Sequence, residues 1–214
     1  MESVPASRVT VPVTDPVLLA VDVGGTRARF GLFDAGCALL RREELATGSF
    51  PDGAALLQAG IDALEAPPLP LSVAAAGPRD ASGAVQLTNR SSLRLDARAL
   101  AAQLGRRVLL WNDFVALAAG LADAMVAGPE AAPELLGGTL PAPAGPRLVC
   151  GPGTGLGTAL LLEDGSVRAA EGGHAGLAAS TPLELELLRV LTARFGRVSR
   201  ERVLSGPGLV HLAE

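Results

Sequence analysis

Two glycine-rich turns carry the most specific chemical signal in the chain. One is Asp22-Val23-Gly24-Gly25-Thr26, and the other lies far downstream, Gly151-Pro152-Gly153-Thr154-Gly155-Leu156-Gly157. Each follows an apolar, strand-like run, VLLAVDV at 17–23 and Leu148-Val149-Cys150. Glycine lets backbone N–H groups approach an anion closely, because no Cβ stands in the way. Either turn alone reads equally well as a hairpin with no ligand. Together, with Asp22, Thr26 and Thr154 inside them, they favour a nucleotide polyphosphate gripped from both sides. Three further places could act on a second substrate. Asn112-Asp113 sets a carboxylate beside an amide, a pair that can accept from one sugar hydroxyl and donate to its neighbour; an Asp there is equally an ordinary helix cap. Glu171-Gly172-Gly173-His174 places an acceptor and an imidazole around two glycines, the competing reading being a loop histidine with its own partners. Glu201, on spacing alone, is a helix-surface acid.

The bulk composition narrows the chemistry. The chain has 214 residues, of which 49% are hydrophobic and 19% charged, values of a compact globular protein rather than a disordered one. A formal net charge of −4 and a pI near 5.3 point to neither a nucleic-acid nor a membrane partner. All 18 basic residues are arginine, and tyrosine is absent. Without lysine there is no Walker A loop, no protein-kinase strand lysine and no Schiff base. The glycine turns also miss the dinucleotide spacing G-x-G-x-x-G. Cys37 and Cys150 are too far apart for a zinc knuckle and read as buried structural thiols of a reducing compartment. The longest apolar stretch, 114–122, is well short of a membrane span, and the N-terminus has no signal-peptide core; a cytoplasmic location follows as the expectation.

These residues need elements to hold them. Residues 1–16 read as a loose tail. Strands are expected at 17–23, 28–33 and 38–46, with Asp34-Ala35-Gly36 as a turn. A helix is expected over 52–64, then strands at 69–76 and 84–87, and a helix from the Asp96 cap to Leu104, stopped by Gly105. A strand at 108–111 delivers Asn112-Asp113 to a helix over 114–126. The proline- and glycine-rich stretch 128–146 is the expected lobe boundary. Strands near 147–150, 157–163 and 166–170 follow, then a helix over 182–195 capped by Thr181 and another starting at Ser199. Alternation of this kind predicts an α/β sheet with parallel members, in which ligands collect at the carboxyl ends of strands.

Taken in order, DVGGTRARFGLF, AAAGP…LTN, WNDFVALAAG, GPGTGLGTALL, AEGGHAGLA and SRERVLSGPGL resemble the bacterial ATP-dependent glucokinases of the non-ROK type, within the sugar-kinase/actin superfamily. The resemblance runs from about residue 17 to the last residue. It implies a two-lobed, ribonuclease H-like α/β fold, with a small lobe over 17–127 and a partial large lobe over 128–214. It also implies roles. Asp113 is the general base toward the sugar 6-hydroxyl, and Asn112, Glu171, His174 and Glu201 complete the glucose contacts. Asp22 lies near Mg²⁺ through water, Gly24, Gly25 and Thr26 face the phosphates of ATP, and Gly153, Thr154 and Gly155 form the second phosphate turn. The implied partners are glucose and ATP, with a homodimer as the candidate assembly.

The chain departs from the family pattern in places. Arg27 stands where asparagine is usual and either adds charge near the phosphates or points to solvent; Leu177-Ala178-Ala179 replaces Phe-Ala-Pro; and Ser91-Ser92 occupies the neighbourhood of an expected aromatic. The resemblance further implies that the chain stops within the second lobe, before the adenosine-contacting glycine motif, which would leave apolar surface exposed. A non-catalytic hexose-binding pseudoenzyme or an inactive fragment is the alternative reading. A ROK-type regulator is disfavoured, since 16 leading residues leave no room for a helix-turn-helix and zinc-ligand cysteines are absent.

Overall fold

A computed structural model describes residues 15–77, 79–87, 93–127 and 145–214. The chain forms two compact units, Met1–Trp111 and Asn112–Glu214. All but Asp15 and Pro16 of the expected tail, Pro78, the 88–92 segment with Thr88 and Asn89 of the LTN motif, and most of the 128–146 stretch lie outside the described residues. The division after Trp111 assigns Asp113 and the helix that follows it to the second unit, whereas the sequence expectation groups them with the first.

In the first unit, β1 (Leu18–Val23), β2 (Arg27–Phe33), β3 (Leu39–Ala46), β4 (Leu71–Ala75) and β7 (Val108–Asn112) form a sheet of order β3-β2-β1-β4-β7. A separate ribbon pairs β5 (Val85–Gln86) with β6 (Arg94–Leu95). Alternation fixes the register. β1 pairs antiparallel with β2 and parallel with β4, setting Leu19, Val21 and Val23 beside Leu71, Val73 and Ala75, and all six are buried. A one-residue slip would turn this row outward. Asp22 therefore falls on the opposite face, directly across from Arg29. Leu56, Leu57 and Ile61 of α1 (Gly53–Ala63) join the same core.

Helix ends follow side-chain chemistry. Asp52 caps α1 by accepting from the Ala55 N–H at 2.8 Å. Asp96 caps α2 (Ala97–Leu104) through the N–H groups of Arg98 and Ala99, and Gly105 ends it in the left-handed region at φ 62°. Both α2 ends fall where the sequence places them.

The second unit holds α3 (Asp113–Ala127), the antiparallel sheet β10-β9-β8, built from β8 (Arg147–Pro152), β9 (Leu156–Leu161) and β10 (Val167–Ala170), and the helices α4 (Pro182–Phe195) and α5 (Gly206–Ala213). α4 starts on a capping box between Thr181 and Glu184 with Pro182 in its first turn. The helix expected from Ser199 is instead a turn. Ser199 bridges Gly176, and the Arg200 and Glu201 N–H groups donate to Ala175 and Gly173 carbonyls, both at 2.9 Å. The helix begins only after Ser205, which accepts from the Gly208 N–H. The buried-thiol expectation is also corrected: Cys37 and Cys150 are both exposed. Cys37 sits in a turn at φ 64°, and Cys150 lies on the outward row of β8, where alternate residues are exposed. Helices α4 and α5 present exposed Leu183, Leu185, Leu209 and Val210.

Gly60 and Gly120 give a test of the packing. Gly→Ala inside a helix normally stabilises by about 1 kcal/mol, and at Gly120 an added Cβ meets nothing within 4 Å. At Gly60 it would come within 2.2 Å of the buried Phe30 ring, an overpacking that costs about 1–3 kcal/mol. Denaturant midpoints should therefore rise for Gly120→Ala and fall for Gly60→Ala.

Candidate functional site

Asp113 sits where strand becomes helix. Asn112 ends β7 and caps α3, its Oδ1 accepting from the Val115 N–H at 3.1 Å. Its Nδ2 donates to Asp113 Oδ1 at 3.1 Å, and the Phe114 N–H donates to the same oxygen at 2.9 Å. Two donors and the positive end of the helix thus hold one carboxylate oxygen. The three residues are half-buried, a setting that keeps a carboxylate reachable while restricting its rotamers.

The β8–β9 hairpin carries the second glycine run, and its glycines answer to different neighbours. Gly151 and Gly157 face each other across the ladder, and the Phe114 ring occupies the space both leave: an added Cβ would lie 3.1 Å from the ring at Gly151 and 1.8 Å at Gly157. Gly155 makes room for Glu201, whose Oε2 would be 2.4 Å from a Cβ there. Gly153, at the exposed tip, would have an added Cβ with nothing within 4 Å. The Gly153 N–H closes the turn onto the Gly155 carbonyl at 2.8 Å, and the Gly153 carbonyl accepts from the Gly206 N–H at 2.8 Å. Among the described residues, no backbone hydrogen bond uses the N–H of Thr154 or Gly155, so the tip can offer these donors to an anion.

Glu201 ties this hairpin to the Glu171–His174 loop. Its Oε2 accepts from the Leu156 N–H at 2.9 Å, while its own N–H donates to the Gly173 carbonyl at 2.9 Å. The loop turns tightly through Gly172–His174. Buried Thr158 anchors it, accepting from the Gly172 N–H and donating to the Ala170 carbonyl, each at 2.9 Å. A Cβ at Gly173 would lie 2.1 Å from the Leu156 carbonyl oxygen, so this glycine is required by close approach of two backbones. Exposed Glu171 and His174 face one another, Oε2 to Nε2 at 3.6 Å. Arg197 donates to the His174 carbonyl at 2.6 Å.

In the first unit, the 22–26 turn closes through the Gly24 N–H and Arg27 carbonyl at 2.9 Å. Buried Thr47 steadies it, its Oγ1 donating to the Gly25 carbonyl at 2.9 Å and its N–H to the Thr26 carbonyl at 3.1 Å. Asp22 pairs with Arg29 at 3.0 Å, Arg29 reaches Glu44 at 3.3 Å, and Glu44 also binds Arg27. The Asp22 carboxylate raises the Arg29 pKa through its hydrogen bond and charge, with Glu44 adding to the effect. The Arg27 hydrogen bond holds the Glu44 carboxyl below its ordinary range. Arg27, for which the sequence leaves a phosphate contact or solvent open, is thus engaged with Glu44. Among the described residues, no cluster of three or more His, Cys, Asp or Glu could hold a metal by itself. A half-buried carboxylate such as Asp22 nevertheless suits Mg²⁺, which keeps most of its waters and takes one or two carboxylates beside substrate phosphates.

Within the second unit, the structure therefore brings Asn112 to Asp113, Glu171 to His174, and Glu201 to the 153–155 turn. Sequence reasoning missed Phe114, Thr158, Arg29 and Thr47. Pairing β1 with β2 around the 24–26 turn would have set Arg29 opposite Asp22, and pairing Gly151 with Gly157 would have exposed a vacant slot needing a large apolar partner. Thr47 and Thr158 carry no comparable signal.

A glucokinase family model matches residues 19–214. A glucokinase of Aromatoleum aromaticum is 40% identical over 205 residues, covering 89% of this chain and 58% of the relative. A glucokinase structure from an Antarctic psychrotroph superposes with a TM-score of 0.68 at 30% identity, covering 91% of this chain and 62% of that one. The glucokinase of Balamuthia mandrillaris, solved with glucose, shares the fold with a TM-score of 0.70 at 23% identity, covering 91% of this chain and 60% of its own. The chain spans about three-fifths of the length of these relatives. On the family match across nearly its whole length, and on the two glycine turns and strand-end Asn-Asp pair that lie inside that match, this chain belongs to the glucokinase family.

Proposed function

We propose that this protein transfers the γ-phosphoryl group of Mg-ATP to the 6-hydroxyl of glucose. The observation that carries this reading is the Asp113 carboxylate, fixed by two donors at a helix N-terminus in the same compact unit as the exposed glycine tip at 153–155. Family membership supports it, as does the glucose bound by the Balamuthia relative. Phosphoryl transfer has a loose transition state, so positioning and charge neutralisation dominate and lysine is not required. Asp113 orients the 6-hydroxyl and accepts its proton as O6 bonds to the γ-phosphorus and the bond to the β-phosphate oxygen breaks, releasing ADP. Asn112, Glu171, His174 and Glu201 hold the remaining hydroxyls. A wrong epimer leaves such groups unpaired, which can discriminate by roughly 10⁴-fold.

Gly24, Gly25 and Thr26 of the first unit, and separately the 153–155 tip of the second, supply backbone donors suited to phosphate. Asp22 would hold Mg²⁺ through its water shell, and the ion supplies charge neutralisation on the phosphate oxygens. Arg29 keeps that carboxylate oriented. The reading also puts the enzyme in the cytoplasm as a homodimer, with no nucleic-acid or membrane partner. Among the described residues, no helix is long and apolar enough to cross a membrane.

A coupled assay for glucose 6-phosphate with glucose and Mg-ATP tests the proposal. Glucose binding without product would favour the pseudoenzyme reading. The sole tryptophan, Trp111, adjoins Asn112, and its fluorescence can report sugar binding. Asp113→Asn should keep glucose affinity within about tenfold while turnover falls by about 10²–10⁴-fold, the usual contribution of a general base; retained turnover would remove Asp113 from its role. Glu201 offers a second check. Glu201→Gln keeps an acceptor for the Leu156 N–H, whereas Glu201→Ala strands that part-buried donor at a cost of about 1–3 kcal/mol. Leu156 amide exchange should accelerate in Glu201→Ala and stay near the parent rate in Glu201→Gln.

A further inference from the structure

We propose that Phe114 is a positioning residue that sets where the Asp113 carboxylate stands relative to the 153–155 turn. The inference rests on the reading of Asp113 as the base. Two contacts of one residue carry it. The Phe114 N–H holds Asp113 Oδ1 at 2.9 Å, and its ring lies over Gly151 and Gly157, which are register partners in the β8–β9 ladder. Backbone and ring of one residue therefore join the carboxylate to the hairpin that carries the glycine tip, all inside the Asn112–Glu214 unit.

The paired glycines make sense only with that ring. Glycine weakens a strand and often marks a place where another group approaches closely. Two glycines facing each other across one ladder double that weakness, and the ring fills the gap they leave. The fit is graded. A Cβ at Gly157 would come 1.8, 2.1 and 2.4 Å from three ring atoms, while at Gly151 the closest approach is 3.1 Å. Alanine at Gly157 must expel the ring; alanine at Gly151 needs a shift of only tenths of an ångström. The long glycine run is thus divided: its outer pair seats Phe114, and its tip faces solvent.

Displacing the ring would move the start of α3 against the hairpin, and misplacement of about 1 Å can lower a rate roughly a hundredfold. Glucose binding would change little, because the sugar contacts attributed to Asn112, Glu171 and His174 do not involve the ring.

The test is a double-mutant cycle read as kcat per glucose-binding site, with site number and glucose Kd taken from calorimetric titration. Phe114→Ala and Gly157→Ala should each lower kcat by about 10–100-fold with glucose Kd within threefold. Gly151→Ala should lower it by less than threefold. In the Phe114→Ala background, Gly157→Ala should cost less than a further twofold, since no ring remains to clash. Losses that multiply would overturn the proposal. If either alanine variant fails to fold, Phe114→Leu carries the test: it fills the slot without the ring's shape and should lower kcat about tenfold, and kcat within twofold of the parent would overturn the proposal. The Gly157 Hα resonances should also lose their aromatic ring-current shift in Phe114→Leu. A parent protein without turnover would sink the kinase reading and this inference together. An active parent with Asp113→Asn inactive and Phe114→Leu unaffected would sink the inference alone.

Discussion

An aromatic ring seated on two facing glycines joins helix to sheet in the second unit. The Phe114 ring lies across the Gly151–Gly157 pair, which fixes the N-terminus of α3 against β8 and β9. That helix start carries Asp113, and the hairpin carries the exposed tip. Contacts of this kind act through shape, and close-packed interiors transmit displacements rather than absorb them. Glu201 extends the assembly by binding the Leu156 N–H with its side chain and the Gly173 carbonyl with its backbone. The hairpin, the Glu171–His174 loop and the start of α5 are thereby linked by hydrogen bonds.

The first unit solves a different problem, holding an acid at a strand end beside a flexible turn. β1 is paired on both sides, with β2 and with β4, so its register is determined twice over. The inward row is fully apolar, and Asp22 is carried on the other face to meet Arg29. Thr47, reaching across from the end of β3, ties down the carbonyls of Gly25 and Thr26. A turn rich in glycine thereby gains a defined shape without giving up access.

Much of this was readable in the chain before any coordinates. Apolar strand-like runs locate β1, β2 and β4, and Asp96, Gly105 and Thr181 mark helix ends correctly, because these are local effects. The strand end at Asn112-Asp113 was legible for the same reason. What escaped was non-local. The turn at Ser199–Leu204 looks helical in isolation, but its Arg200 and Glu201 N–H groups are taken by the Ala175 and Gly173 carbonyls, long-range partners invisible in a window of sequence. The glycine run looks uniform, while two different neighbours, Phe114 and Glu201, require three of its members and the tip glycine meets neither. The thiols were expected inside on average behaviour, and strand phase placed Cys150 outside.

The exclusive use of arginine has a consequence for the Asp22–Arg29–Glu44–Arg27 array. With no lysine in the chain, every basic side chain of this array is a guanidinium. Guanidinium groups stay charged beyond pH 12, and the Arg29 pKa is moved further upward. Its contribution is therefore fully present below the unfolded-state value and fades only as alkalinity exceeds the folded one, outside any working range. The acidic edge comes from Glu44, whose folded pKa is lowered; its share persists above the unfolded value and disappears as pH drops through the folded one. The array around Asp22 is thus a one-sided device, sensitive to acid and indifferent to base, where a lysine-built counterpart would fail at both ends.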